Sequence, residues 1–385
     1  MDSIVRAMME LIASEACGKE IDPAQYHFSD KELTRLFDLA KAHDLAHLVG
    51  EALIKNDLIK NEQIKTSFQE QFLLAVYRYD SINKELDSLR KLLNEFKIPF
   101  LPLKGSVLRN YYPEPWMRTS CDIDILLHKK DLESTLKLLL ERLNGKGLKR
   151  TPHDVSFTTS EGVSVELHYD LIEKGRIGKA EEPLKTIWDH ATRIEETAEY
   201  TLSDEMFYYY HLSHMAKHVE GGGCGVRPFL DLFLLDSLEH DQAKRSALLK
   251  SGGLEPFADA ATGLAGYWFD HQKPDALILE LENYILTAGV YGSLKNHVAV
   301  KQLEKSGKRN YIFSRIWLPY RDMILYYPSL EGRKILLPFY EFKRWCKLLK
   351  PSIFRRKKKE LRLIANLSDE QVQNTNHLLK NLGIR

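Results

Sequence analysis

Three shortages narrow the class of protein to which these 385 residues belong. The chain has only four cysteines, far apart and with no C-x-x-C spacing, which argues against a disulfide framework or a zinc knuckle and favours a reducing cytoplasm. No run of about 18 apolar residues occurs, so we predict no membrane-spanning helix. Neither sign of charge is in large excess, and a net charge of +1 argues against a surface coated for nucleic-acid binding.

What the sequence does contain is three regions of different periodicity. Residues 1–96 place apolar side chains three and four apart, with a capping box predicted at Ser29 and Glu32, and therefore predict helices. Residues 97–200 combine short apolar or alternating runs with one amphipathic helix. Residues 201–385 are again mostly helical. The predicted fold class is α+β, with a small mixed-sheet domain embedded between helical N- and C-terminal regions.

Two aspartates stand out in the middle region. Asp122 and Asp124 alternate with isoleucines in a segment whose pattern predicts a buried strand. Residues two apart face the same side of a strand, so the two carboxylates project together from Cα atoms roughly 6.6 Å apart. Burial of an unpaired carboxylate costs free energy of folding. We therefore predict a metal ion, another cation or water beside the pair. Mg²⁺ (or Mn²⁺) suits the pair, since it prefers oxygen ligands and is often held by one or two carboxylates.

A third acid comes from a predicted hairpin whose turn is at Glu161 and Gly162. In its second strand Glu166 and His168 share one face. If this strand lies next to the aspartate strand, Glu166 can help to hold a second ion or accept a proton from an attacking hydroxyl. His168 either orients a carboxylate or simply fills the surface of the sheet.

The turn Lys104-Gly105-Ser106 supplies the complementary positive charge. It is predicted where a strand passes into a helix, and glycine there lets backbone N–H groups approach phosphate oxygens. Arg118 could clamp a phosphate through two hydrogen bonds. Ser106 has an alternative role, as the N-cap of the helix.

Taken in this order, these residues resemble the uncharacterised nucleotidyltransferase family, a branch of the DNA polymerase beta-like nucleotidyltransferase superfamily. The motifs that carry the resemblance are Lys104-Gly105-Ser106, Arg118, Asp122-x-Asp124 and Glu166-x-His168. The resemblance implies a nucleotidyltransferase fold in the sheet domain, and transfer of a nucleoside monophosphate from a nucleoside triphosphate with release of pyrophosphate. It implies that the three acids are catalytic metal ligands and that the turn and Arg118 bind the nucleotide.

Further motifs extend the resemblance over most of the chain. His214, Lys217 and His218 are similar to an H-x-x-K-H motif on a helix, and Arg227 and Asp231 to an Arg-then-Asp motif on the next helix. The resemblance makes all five, together with His168, candidate substrate-binding residues. From spacing alone, Arg227 and Asp231 are four apart on a helix and could simply pair with each other.

The acceptor of the transferred group stays open at this point. A small metabolite or sugar phosphate is favoured. Toxin-type nucleotidyltransferases that modify tRNA or protein also resemble the Lys-Gly and Asp-x-Asp portion, and a non-catalytic nucleotide-binding scaffold is the other alternative. The tail 343–362 has ten Lys or Arg and one Glu, so it could grip RNA, lie on an anionic membrane surface or be a solvated face. The sequence predicts neither the base nor the oligomeric state.

Overall fold

The computed structural model describes residues 2–172, 177–289, 292–304, 313, 317–320, 323–324, 327–347 and 367–385. Over these ranges the chain is α+β, with a five-stranded sheet that follows one set of helices and precedes another. This confirms the predicted fold class. The boundaries that we predict for the three regions remain a proposal.

The N-terminal region contains four α-helices, and a polar side chain caps the N-terminus of the first, second and fourth. Their bounds are α1 Ser3–Ala16, α2 Asp30–Ala42, α3 Ala46–Lys55 and α4 Glu62–Glu95. The capping box predicted at Ser29 and Glu32 is present at the start of α2. The last part of α4 turns apolar side chains such as Leu86 and Leu89 toward the sheet, so this one long helix joins the helical region to the sheet domain.

The sheet has the strand order β1-β2-β5-β4-β3. The bounds of its strands are β1 Phe100–Pro102, β2 Asp122–Leu127, β3 Lys146–Arg150, β4 Asp154–Thr158 and β5 Ser164–His168. Strands β2 and β5 are parallel, and the other neighbours are antiparallel. The short helices α5 Gly105–Leu108 and α6 Leu132–Arg142 flank β2 in the chain. The predicted neighbour of the aspartate strand is therefore the actual one.

Strand β3 is the element that the sequence did not reveal. All five of its residues are exposed, and it lies at the edge of the sheet beside β4. An exposed edge strand needs no apolar alternation, so its sequence carries little strand signal. A separate two-stranded sheet, β6 Ala191–Arg193 with β7 Tyr200–Leu202, follows.

The side chains on the two faces of β2 pack into two different hydrophobic clusters. Ile123 and Ile125 are fully buried in a cluster with residues of α4, α6 and β5. Leu126, on the face of the aspartates, belongs instead to the large cluster formed by helices from both ends of the chain. The aspartate face therefore looks toward those helices and not toward solvent.

The described part of the C-terminal region consists mainly of helices, the first of which lies beside this face of the sheet. Their bounds are α7 Asp204–Glu220, α8 Arg227–Asp236, α9 Gln242–Gly252, α10 Glu255–Phe269, α11 Ala276–Leu286, α12 Leu294–Glu304, α13 Leu337–Lys347 and α14 Asp369–Asn381. Ser203 caps α7 through its hydroxyl, which accepts a hydrogen bond from the amide of Met206. Among the described residues, no helix has both the length and the hydropathy needed to cross a membrane.

Candidate active site

Parallel pairing of β2 with β5 brings the acidic residues together. Asp124 lies directly beside Glu166 in the register of the two strands. One ligand atom from each of Asp124, Glu166 and His168 lies within 4.8 Å of the others. Asp122 is outside this group of three, although it projects from the same face of β2 two residues earlier. The structure thus assembles three of the four predicted residues tightly and places the fourth beside them.

Asp124 is the most buried member and has two nitrogen partners. Only 2% of it is exposed. Its Oδ1 accepts a hydrogen bond from Lys104 Nζ at 2.6 Å and lies 2.7 Å from His168 Nε2. His168 Nε2 is also 3.7 Å from Glu166 Oε2. Lys104 is therefore the cation that stabilises this buried carboxylate.

The surroundings of the three acids shift their pKa values in different directions. Burial raises the pKa of Asp124, but Lys104 and His168 outweigh it, so the pKa of this carboxyl lies well below its usual range. Burial, together with the charge of Asp124, raises the pKa of Asp122 and of Glu166. Asp124 therefore loses its proton more readily than an exposed aspartate, whereas Glu166 binds a proton more readily than an exposed glutamate.

Lys104 reaches Asp124 because of an unusual backbone conformation. Its φ is +45°, a region that residues other than glycine rarely adopt. Burial lowers the pKa of Lys104, but the nearby Asp124 outweighs burial and the net shift is upward, which keeps the ammonium charged. A strained turn that holds a charged lysine on a buried carboxylate is typical of a functional site.

Gly105 is required by the close approach of the next segment. A Cβ at this position would lie 2.9 Å from Ser120 Cβ and 3.6 Å from Arg118 Nη1. Ser106 is not the N-cap, because that position belongs to Lys104 and no side chain caps α5. The Ser106 hydroxyl is buried and has no hydrogen-bond partner among the described residues. Such a group calls for water or a ligand.

Arg118 is buried and already has partners within the protein. Its Nε donates to Asp231 Oδ1 at 2.8 Å, and the same oxygen accepts a hydrogen bond from the Tyr112 hydroxyl at 2.8 Å. Arg118 Nη1 donates to the carbonyl oxygen of Thr119. A phosphate would therefore meet only the remaining N–H groups of this guanidinium.

Arg227 and Asp231 do not pair with each other, so the interpretation from their spacing is wrong. Arg227 Nη1 donates to Asp44 Oδ2 at 2.6 Å and to Thr119 Oγ1 at 2.9 Å, whereas Asp231 binds Arg118. Buried tertiary partners outweigh a pair of neighbours on one helix, which is usually worth less than about 1 kcal/mol. Both residues hold the segment that precedes β2 against surrounding helices.

Helix α7 contributes one polar face to the site. Tyr210, His214 and Lys217 are spaced by four and three residues, and with Lys104 and His168 they line a cavity of about 40 Å³. His218 contacts this face indirectly, with its Nε2 3.1 Å from His214 Nε2. Sequence reasoning missed Tyr210, although its place one turn before His214 was a usable signal.

The described residues around β2 fit a divalent cation. Two carboxylates and one imidazole converge, one of the carboxylates is held ionised, and oxygen ligands dominate the set. Residues 348–362 of the basic tail, whose role the sequence leaves open, lie outside the described residues.

Comparison with known proteins gives evidence on the family that is independent of this geometry. No curated protein and no solved structure matched the chain. A family model described as an uncharacterised nucleotidyltransferase matches residues 29–270, more than half of the chain. That range contains all the candidate residues discussed above. The chain therefore belongs to the uncharacterised nucleotidyltransferase family and is a transferase enzyme.

Proposed function

We propose that the protein transfers a nucleoside monophosphate from a nucleoside triphosphate to a small hydroxyl-bearing acceptor, with Mg²⁺ (or Mn²⁺) as cofactor and pyrophosphate as the second product. The observation that carries the proposal is the convergence of Asp124, Glu166 and His168 within 4.8 Å, with Lys104 bound to Asp124. Membership of the family supports nucleotidyl transfer in general.

In this proposal Asp122, Asp124 and Glu166 hold the metal. When bound, divalent cations neutralise phosphate charge and stabilise the leaving pyrophosphate. Asp124 is suited to this role because Lys104 and His168 hold its pKa below the usual range, which favours the ionised carboxylate that a metal ion needs. His168 keeps the Asp124 carboxylate in place through the 2.7 Å contact between Nε2 and Oδ1.

Glu166 is the residue that we assign to proton transfer. Burial and the Asp124 charge raise its pKa, which moves a carboxylate toward the range useful for a general base. It would accept the proton of the acceptor hydroxyl as that oxygen attacks the α-phosphorus. The bond from that phosphorus to the bridging oxygen breaks, and pyrophosphate leaves with the electron pair.

The turn after β1 is assigned to the triphosphate. Gly105 lets this turn pack closely against Ser120 and Arg118, and the buried Ser106 hydroxyl, which has no hydrogen-bond partner among the described residues, can bond to a ligand oxygen. Lys104 keeps its charge and already faces the carboxylates. Arg118 adds a positive charge behind the turn.

The acceptor is placed at the cavity beside α7. At 10–15 Å³ for each water molecule, about 40 Å³ is room for roughly three, the size of one functional group of a ligand. Tyr210, His214 and Lys217 are the substrate contacts that we assign to this cavity.

Release of pyrophosphate tests the proposal. The protein is incubated with Mg²⁺, each of the four nucleoside triphosphates and pooled hydroxyl-bearing acceptors, and the products are identified by mass spectrometry. Asp124→Asn is expected to abolish release, and circular dichroism is recorded to establish that the variant is folded. Glu282→Gln is the matched control, because Glu282 is also buried but binds Trp268 far from the site. Undiminished release by Asp124→Asn, or binding of triphosphate with no turnover for any acceptor, would refute the mechanism.

A further inference from the structure

A second cavity adjoins the turn after β1, and the proposed reaction does not use it. Its volume is about 180 Å³, and Ser106 forms part of its wall, whereas Lys104 of the same turn lines the cavity beside α7. Helix α7 contributes to both, since Phe207 lines the second cavity and Tyr210 lines the first. The centroids of these two rings are 6.4 Å apart. We call this space the Ser106 cavity, and it is a neighbour of the candidate active site.

The size of the Ser106 cavity suits one flat ring system. A cavity of about 150 Å³ is large enough for a benzene molecule, and about 180 Å³ is slightly larger. Pockets that enclose a whole drug-sized ligand usually have at least about 300 Å³. The cavity therefore has room for one part of a nucleotide and not for all of it.

Aromatic side chains form part of the wall and are held in place by other rings. Tyr111 and Phe207 are in contact, with centroids 6.3 Å apart and planes tilted by 41°. Tyr200 packs edge-on against Trp188, with centroids 5.6 Å apart. Because these rings are already fixed, a flat ligand can stack on them without the cost of ordering them first.

The polar groups of the wall carry no net charge. Among the described residues that line the cavity, only Arg90 and Glu199 are charged, and they bind each other. Arg90 Nε donates to Glu199 Oε2 at 3.1 Å and Nη2 donates to Oε1 at 3.0 Å. A phosphate group would therefore meet no unpaired cation among these residues. Asn110 and Thr201 add an amide and a hydroxyl, which suit an uncharged ligand with both donors and acceptors.

Ser106 gives a further reason to expect a polar ligand at this wall. It is only 3% exposed, and its hydroxyl has no hydrogen-bond partner among the described residues. Buried hydroxyls in folded proteins nearly always have a partner, either in the protein or in bound water. The polar edge of a ligand in the cavity could supply the partner that this hydroxyl lacks.

Nucleobases combine these properties, because each is a flat aromatic ring system whose hydrogen-bonding groups lie at its edge. We propose that the Ser106 cavity binds a nucleobase, either that of the triphosphate substrate or that of a separate nucleoside. Placement of the substrate's base there rests on the proposed function, whereas binding of a separate nucleoside does not. The aromatic rings contact the face of the base, and Arg90, Glu199 and Asn110 contact its edge.

Saturation-transfer NMR on the full-length protein tests the proposal with adenosine, guanosine, cytidine and uridine, each titrated without metal. We expect at least one nucleoside to bind, with stronger signals from its base protons than from its ribose protons. Tyr111→Leu removes a stacking ring and is expected to weaken binding at least about fivefold. Thr201→Trp, at an exposed position of β7, fills the cavity and should abolish binding.

Tyr267→Leu is the matched control. Tyr267 and Tyr111 are both partly buried against the large helical cluster, but Tyr267 does not line the cavity. This variant should bind nucleoside like the unaltered protein. Circular dichroism is recorded for all three variants to establish that they are folded.

Addition of the matching triphosphate with Mg²⁺ distinguishes the two sources of the base. Displacement of the bound nucleoside supports a cavity that holds the base of the substrate, and simultaneous binding supports a separate nucleoside.

Two results would overturn the proposal. One is that no nucleoside binds, and the other is that either folded cavity variant binds nucleoside with unaltered affinity. The assay needs no turnover, so its outcome is separate from that of the pyrophosphate assay. A protein that binds nucleoside but releases no pyrophosphate contradicts only the proposed reaction, and the reverse result contradicts only the nucleobase site.

Discussion

Lys104 Nζ and Asp124 Oδ1 are 2.6 Å apart, and this buried ion pair joins the turn after β1 to the carboxylate cluster on β2. The pair offsets part of the negative charge of the cluster, which also contains Asp122 and Glu166. In the proposed reaction it also places a cation where phosphate oxygens would approach the carboxylate that we assign to the metal. Both functions depend on the same ammonium group, so its removal has separate consequences for stability and for substrate binding.

Lys104→Met is expected to destabilise the fold by about 3–5 kcal/mol, because it leaves Asp124 buried with only His168 as a partner. Chemical denaturation followed by circular dichroism measures the change. Lys60→Met is the control, since Lys60 pairs with Asp57 on the surface, and it should leave stability unchanged. Equal stability of the two variants would contradict a structural role for the Lys104 ammonium.

Asp231 and Arg118 should behave as one unit in a double-mutant cycle. Asp231→Asn leaves the buried Arg118 guanidinium without its anion and is expected to cost about 3–5 kcal/mol, and Arg118→Met leaves the Asp231 carboxylate buried in the same way. The double variant should lose less than the sum of the two single variants. Additive losses in urea unfolding would show that the two side chains do not interact in solution.

Binding of a divalent cation should stabilise the folded protein. Mg²⁺ or Mn²⁺ at about 100 times its dissociation constant is expected to add about 2.7 kcal/mol, seen as a rise in melting temperature. Asp124→Asn should remove the rise, and Glu166→Gln should reduce it. A metal-induced shift that persists in Asp124→Asn would place the cation elsewhere.

Acid should destabilise the fold through buried histidines. Burial lowers the pKa of His43 to about 4, whereas an exposed histidine titrates near pH 6.5. The unfolded chain therefore takes up a proton first, so stability is complete above pH 6.5 and falls by up to about 3 kcal/mol as the pH decreases to 4. His43→Phe should lose less stability over this interval than the unaltered protein.

The control for His43 is His27→Phe, because His27 is exposed. Its urea unfolding curves at several pH values between 7.5 and 4.5 should follow those of the unaltered protein. If His43→Phe followed them as well, protonation of this histidine would not be the cause of the acid sensitivity.

The carboxylate cluster could be predicted from the sequence because the pattern within each short segment shows which side chains share a face. Alternation with isoleucines fixes the face of Asp122 and Asp124, and the hairpin fixes the face of Glu166 and His168. One further assumption, that the two strands are neighbours, was enough to bring them together, and the register confirms it.

The partners of the cationic residues were not predictable in this way. Arg118 meets Asp231 across 113 residues, and Arg227 meets Asp44 across 183. Such contacts depend on how helices from both ends of the chain pack, which periodicity does not specify. The ion pair of Lys104 depends on a left-handed turn, and a lysine gives no sequence signal for that conformation.

The position of the aspartate face against the large helical core has a consequence for any attempt to isolate the sheet. Leu101, Leu103 and Leu126 are buried in that core and not in the one beneath the sheet. A fragment cut at residues 97 and 200 would present these leucines to water next to its acidic residues. We therefore expect the strands that carry the carboxylates to be unstable as an isolated fragment, and truncations should retain α7 together with the helices of the N-terminal region.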